Sequence, residues 1–233
     1  MHRWLTWNLP GIEGGLTTLR DDLVREAPEL STGDAVKFRR WVREIETVLT
    51  KAAVISGTIQ PEVEAEIGYS LGDREQFVIA MFRPSTRNLF DEIAEHARGN
   101  NWCTLTDAKL RELAGLHEVA GALAWIGDAA LKIGLLPAIW DPDVAKAGVL
   151  TRNRKAYDRN SNLARLCDRW RLYEHRIHFD ADTSRSARKI NHTKGTLVES
   201  VFGILFLKEG LKGVASAAKL LKPPPPVPST TVP

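Results

Sequence analysis

Asp128 and Glu199 are the residues whose surroundings most need a chemical explanation. Asp128 stands inside GALAWIGDAALKIGLL and Glu199 inside TLVESVFGILFL. Both segments are apolar on nearly every helical face, so both carboxylates are expected in the interior. An ionised carboxylate there costs several kcal/mol unless something compensates it. Two such groups that meet also repel each other. A divalent cation resolves the burial and the repulsion together. Magnesium suits best, as a hard ion that takes oxygen ligands and keeps several waters, and manganese can substitute. Such an ion activates water and stabilises charge on a phosphodiester in flight. A plainer arrangement is also open. Asp128 can pair with Lys132, one turn further on the same helix, and Glu199 with an arginine from the intervening stretch.

That stretch is basic. Arg152, Arg154, Lys155, Arg159, Arg165, Arg169 and Arg171 form one cluster, and Arg185, Arg188, Lys189 and Lys194 a second. Clusters of this kind attract phosphates, and they also occur as solvated helix faces. The net charge of +3 is compatible with a polyanion partner without requiring one. Cys103 and Cys167 are the only cysteines. They form no CxxC pair, so neither a structural zinc site nor a disulfide framework is expected, as befits a reducing cytoplasm. Met1–Pro10 has no apolar run after a basic stretch, so no signal peptide is expected. Neither long apolar segment reads as a membrane span, because each carries charge.

The elements that must position these groups are helices. No sustained alternation of apolar and polar residues bounded by hairpin turns occurs, so the fold class is all-α. Apolar spacing predicts helices over Thr17–Glu26, with Leu16, Leu19, Leu23 and Val24 in phase, and over Asp34–Lys51. The second carries Val36, Phe38, Trp41, Ile45 and Val48 on one stripe, with Ser31, Thr32 or Asp34 as caps. Pro61 can open a further helix. Asp73–Phe82 and Ser85–Arg98 follow. Gly99-Asn100-Asn101 is a loop signal and the expected domain boundary. Beyond it come Thr104–Leu113, Leu116–Leu136 ended by Pro137, a short Val144–Leu150, and Asn160–Tyr173 with Leu163, Leu166, Cys167 and Trp170 in phase. Phe179–Ser186 is polar and reads as a loop. Ile190–Glu209, broken at Gly210, and Leu211–Leu221 complete the set. The tail KPPPPVPSTTVP cannot continue a helix. A Gly-Asp echo between Ile67–Phe77 and Leu123–Leu131 is not extended and reads as chance. The organisation is then a helical extension over 1–100, a second helical domain over 101–221 and a proline-rich tail over 222–233.

Three segments carry a family resemblance. LAWIGDAAL resembles the ribonuclease III signature LEFLGDAVL. About twenty residues on, AGVLTRNRKAYDRNSNLARLCDRWRLYEHRI resembles the family's next stretch, in which a glycine and "LT" precede an arginine and then "N..LA". KGTLVESVFGILFLKEG resembles "K.AD.FEALIGAIYLD.G", with Lys194, Glu199, Gly203, Leu207 and Gly210 at matching places. The resemblance covers about half the chain.

It implies an all-helical homodimeric endonuclease domain that cleaves double-stranded RNA with magnesium, leaving 5′-phosphate and 3′-hydroxyl ends. The usual site has four acidic residues. Asp128 and Glu199 match two of them, whereas Ala124 and Thr196 stand where the other two are expected. The compact Mini-III branch, "LAYIGDAVY" and "TGFEALIGYLYL", has Ala and Thr at the same places and is active. This chain lacks that branch's "RGRNAK" segment and carries about 100 extra N-terminal residues. The resemblance makes Asp128 and Glu199 the metal-binding and catalytic pair, with Thr196 placed to orient a water. It makes Lys194, Arg152, Arg154, Lys155, Arg188 and Lys189 candidates for RNA phosphates, and His192 a neighbour or a plain surface residue. It places the first signature helix at the dimer interface, with Trp125 an interface or, by default, a core residue. Trp4, Trp7 and Trp41 are expected to pack a small N-terminal core. A catalytically inactive ribonuclease III-fold protein that binds RNA or serves as an assembly subunit is the alternative.

Overall fold

The structure, a computed structural model, describes residues 11–27, 31–140, 142, 146–180 and 186–223. The tail from residue 224, Trp4, Trp7 and Arg185 lie outside them. Among the described residues 82% are helical. Among the described residues no strand forms, and one isolated bridge joins Phe82 to Ile177. The expected all-α class is correct.

The N-terminal helices follow their caps and apolar stripes. Helix α1 spans Ile12–Glu26 and α2 spans Thr32–Val54. The Ser31 hydroxyl caps α2 by accepting from the Asp34 N–H. Phe38, Trp41, Ile45 and Val48 are buried as expected, as are Leu16, Leu19 and Leu23 of α1, while Val24 and Val36 face solvent. Helix α2 continues through one π-helical turn, Ile55–Ile59, into α3 (Gln60–Ile67). Pro61 therefore opens α3 without a break. In a straight α-helix its ring would crowd the Gly57 carbonyl, and the wider turn relieves that clash. Asp73 caps α4 (Arg74–Ala80), and α5 spans Thr86–Ala97.

Two of the expected helices are one. Helix α6 runs unbroken from Asp107 to Gly134, capped by the Thr106 hydroxyl. Gly115 does not interrupt it, because an internal glycine costs only about 1 kcal/mol. Burial of Leu110, Leu113, Leu116 and Leu123 on one face outweighs that cost. Pro137 lies in the first turn of a short α7 (Leu136–Ile139) rather than ending α6. Helix α8, Ala147–Asp158, is longer than the apolar pattern suggested because none of its residues is fully buried. Then follow α9 (Asn160–Arg169), α10 (Leu172–His175) and α11 (Ala187–Ala217), with a closing 3-10 turn at Ala218–Leu221. Gly210 adopts φ 65° and ψ −162° inside α11. That region is open essentially to glycine alone, which is why the helix kinks there.

Helices α6 and α11 form the centre. Their contacts step forward together: the Ser200 hydroxyl donates to the Ala120 carbonyl at 3.2 Å, Gly203 lies on Leu123, and Gly134 lies on Val214. The pair is therefore parallel. Helices α4 and α5 pack on α6, and α9 packs on α11. Asp107–Ile139 is long and apolar enough by length and composition to cross a membrane. Here it is packed against α4, α5 and α11.

The turn at Gly99–Asn101 lies on the surface of a core that draws on both sides of it. Specific bonds reinforce the packing. Asp22 accepts from both the N–H and the hydroxyl of Thr104 at 2.7 Å. The Trp170 indole donates to Glu66 at 2.7 Å, and Arg169 pairs with the same carboxylate at 2.6 Å. The Ile177 N–H donates to the Met81 carbonyl at 2.8 Å.

Candidate active site

The site is set by how closely α6 and α11 touch. A Cβ on Gly127 would overlap the Glu199 carbonyl and lie 2.7 Å from the Gly203 nitrogen. A Cβ on Gly203 would overlap the Leu123 carbonyl. Only glycine fits at either place. Asp128 follows Gly127, and Glu199 lies at the point of contact. The crossing thus brings the two carboxylates into one electrostatic neighbourhood.

They sit in different surroundings. Asp128 is half-exposed, with 41% of its side-chain surface accessible, and pairs with Lys132 at 2.5 Å. The expectation of a deeply buried Asp128 fails because the outer face of α6 is open: Trp125 is 74% exposed and Ile133 is exposed. Its ion pair with Lys132 is the plainer arrangement that the spacing allowed. Glu199 is half-buried, and among the described residues no ion pair reaches it. Burial first, then the Asp128 charge, pushes its carboxyl up to about 7, against the pull of Lys132.

A third carboxylate, Asp158, interacts electrostatically with them. Asp158, the last residue of α8, has only 13% of its side chain exposed and pairs with Arg154 at 3.5 Å. Burial and the Asp128 charge push its carboxyl upward against Arg154, and its own charge raises Glu199. The sequence reading passed over Asp158 because it stands in a stretch noticed for its arginines. A signal was present, since it is the one acidic residue between Arg152 and Arg165.

Thr196 lies one turn before Glu199, half-buried, and its hydroxyl donates back to the His192 carbonyl at 3.0 Å. His192 is exposed and Ala124 is buried. The basic residues divide into two sets. Arg152, Lys155, Arg188 and Lys189 are exposed. Lys194 instead pairs with Asp168 at 2.5 Å and lies 5.2 Å from the Tyr173 ring centre. Arg169 and Arg171 pair with Glu66 and Glu62 and serve the packing of α9 on α3. Buried Cys167 has its thiol pushed up to about 12, chiefly by burial, so it offers no thiolate.

Among the described residues, no three His, Cys, Asp or Glu side chains converge closely enough to hold a metal by themselves. The donor set still fits a hard divalent ion. Two neighbouring oxygen ligands, one of them raised by the other's charge, favour a cation that completes its shell with water.

Residues 121–210 match the ribonuclease III domain. The match opens within α6, contains both Asp128 and Glu199, and closes on the kink at Gly210. Members of that family act on RNA, generally use a divalent metal and typically dimerise. No curated protein and no solved structure matches the chain.

Proposed function

We propose that the protein is a divalent-metal-dependent endoribonuclease that cuts double-stranded or structured RNA, leaving 5′-phosphate and 3′-hydroxyl ends. The observation that carries this reading is the glycine-enforced crossing that sets Asp128 beside Glu199 within the ribonuclease III match. Asp128 and Glu199 would hold Mg²⁺ or Mn²⁺, which when bound supplies an acidified water and stabilises negative charge on a phosphodiester. Burial and the Asp128 charge push the metal-free Glu199 carboxyl up to about 7, so taking up a cation there would release its proton. The Thr196 hydroxyl keeps its lone pairs available to orient a water while it donates to His192. Exposed Arg152, Lys155, Arg188 and Lys189 would meet phosphates across the wide minor groove of A-form RNA. Arg154 and Lys194 can join them only by leaving Asp158 and Asp168.

A homodimer fits the same reading. Trp125, Ala129, Ile133, Leu136 and Trp140 recur at helical spacing along α6 and α7, all exposed. Such a stripe is the kind of surface a second copy would cover. The likeness of the signature segments to Mini-III extends the proposal to a cytoplasmic role in ribosomal RNA precursor processing.

One observation favours a second reading, in which the fold binds RNA without cutting it. Lys132 already neutralises Asp128 at 2.5 Å, as a metal would. Cleavage of a long double-stranded RNA with Mg²⁺ decides between them, using wild type, Asp128→Asn and Glu199→Gln. Cutting by wild type and not by the folded, RNA-binding variants supports the nuclease. Binding without cutting by wild type supports the alternative.

A further inference from the structure

We infer that the groove between α1 and α2 is a docking site for a short acidic, amphipathic helix of a protein partner. The groove lies outside residues 121–210 and so apart from the ribonuclease III match.

Helices α1 and α2 pack on each other. Beside that contact runs an open groove of about 580 Å³, lined by Val24 and Ala27 from the end of α1 and by Val36, Arg39, Val42 and Arg43 from α2. Its floor is apolar and wet. Val24 is 52% exposed and Val36 59% exposed. Both belong to the apolar stripes of their helices, and the core covers Leu16, Leu19, Leu23, Phe38, Trp41, Ile45 and Val48 while leaving these two valines open. A single exposed valine needs no explanation, but here two from different helices line one concave surface.

Charge is unbalanced at the same place. The neighbouring cations of α2 are paired, Lys37 with Asp34 at 3.6 Å and Arg40 with Glu92. Arg39 and Arg43 are exposed, and among the described residues no carboxylate pairs with either. They stand one turn apart on one side of the helix. Val36, Arg39 and Arg43 recur at i, i+3 and i+7, so the binding face spans about 10 Å, or two helical turns. Its complement is a helix that lays aliphatic side chains at i and i+3 or i+4 on the valines. The same helix presents two carboxylates one turn apart to the guanidiniums.

Other occupants match only part of this surface. A nucleic-acid backbone offers phosphates to the arginines but nothing apolar to Val24, Val36 and Val42. A second copy meeting this face about a twofold axis would set arginines against arginines.

The test selects binders to the full chain from a displayed library of random peptides of roughly 16 residues, about four helical turns. Enriched peptides are then synthesised and their affinities measured by fluorescence anisotropy. The expected sequences carry Asp or Glu one turn apart and aliphatic residues at i and i+3 or i+4, with Kd of about 10–100 μM for so small a surface. The double variant Arg39→Glu, Arg43→Glu should weaken their binding at least about thirtyfold, because it sets like charges together. Val24→Ser and Val36→Ser should each weaken it about tenfold through lost apolar burial. Arg74→Glu, at an exposed arginine outside the groove, should leave it unchanged. All these side chains are exposed, and thermal unfolding checks that each variant keeps its fold. Enriched peptides that lack carboxylates, or that bind the double arginine variant as tightly as wild type, overturn the proposal. So does a selection that yields no binder sensitive to the groove variants. In that case, loss of double-stranded RNA affinity in the arginine variant makes the surface an RNA contact. A lower sedimentation coefficient of Val36→Ser makes it instead a contact between copies.

Discussion

Gly127 lies against the backbone carbonyl of Glu199, so close that any side chain on Gly127 would overlap it. The same contact that packs α6 on α11 therefore places the two signature carboxylates. Gly127→Ala and Gly203→Ala should each destabilise the protein by about 2 kcal/mol or more, since overpacking outweighs the roughly 1 kcal/mol that alanine gains in a helix. Gly115 and Gly121 lie on the same helix with open space where a Cβ would go. Alanine at either should be neutral or stabilise by up to about 1 kcal/mol. Urea unfolding of the four variants reads the contrast. Equal effects at all four positions would refute the close crossing.

Stability of the metal-free protein should fall as pH rises from about 4.5 to about 7 because of Glu199. Its folded pKa is raised from 4.5 to about 7, so the folded state holds the proton more tightly than the unfolded one across that window. The contribution is fully present below 4.5 and lost once pH passes about 7. Glu199→Gln removes the dependence. The variant should match wild type at pH 4 and exceed it at pH 8 by at most about 3 kcal/mol, the equivalent of that shift. Thermal unfolding in chelator at the two pH values measures it.

Metal affinity should depend on the same proton in the opposite sense. Glu199 must be ionised to bind a cation, so Mn²⁺ affinity should decline by about tenfold per pH unit below about 7 and level off above it. Mn²⁺ titrations between pH 5.5 and 8.5, ranges chosen as roughly one unit and a half either side, check this. A profile that is flat through neutrality would remove Glu199 from the ligand set.

Trp125→Glu should disrupt self-association without loss of fold. Trp125 is 74% exposed and Trp140 62% exposed on one stripe. A tryptophan at the centre of an interface commonly contributes about 2 kcal/mol or more, so dimer dissociation should rise at least about thirtyfold. Val36→Glu, on the exposed side of α2, serves as the control and should leave association unchanged. Sedimentation velocity distinguishes the two.

Glu66→Ala should destabilise the protein by about 2 kcal/mol. It would leave the Trp170 indole N–H without its acceptor and Arg169 without its partner, weakening the joint between α3 and α9. Chemical unfolding measures it, and Glu66→Gln, which keeps an acceptor, should recover part of the loss.

Much of this was legible in the residues. Apolar periodicity specifies a helix with little help from the rest of the chain, so α2, α5, α9 and α11 stand close to their expected places. The glycine at 210 and the cap at Ser31 act through local backbone geometry, and local chemistry can be read from sequence. The candidate site residues, Asp128 and Glu199, stand out because a carboxylate on an apolar helix conflicts with its neighbours. The boundaries failed where tertiary contacts override a local signal. Packing against α4, α5 and α11 carries α6 through Gly115, and a π turn carries α2 past Pro61.

What the sequence by itself determined is the all-helical class, with Asp128 and Glu199 as candidate site residues, because periodicity and charge are properties of near neighbours along the chain. Only the tertiary structure decided which face of α6 is open, that Lys132 holds Asp128, and that Lys194 turns toward Asp168. Those outcomes depend on how α6, α9 and α11 meet. Helices far apart in the chain meet where small residues let their backbones touch, and electrostatic neighbours are then set by distance in space rather than by order in sequence.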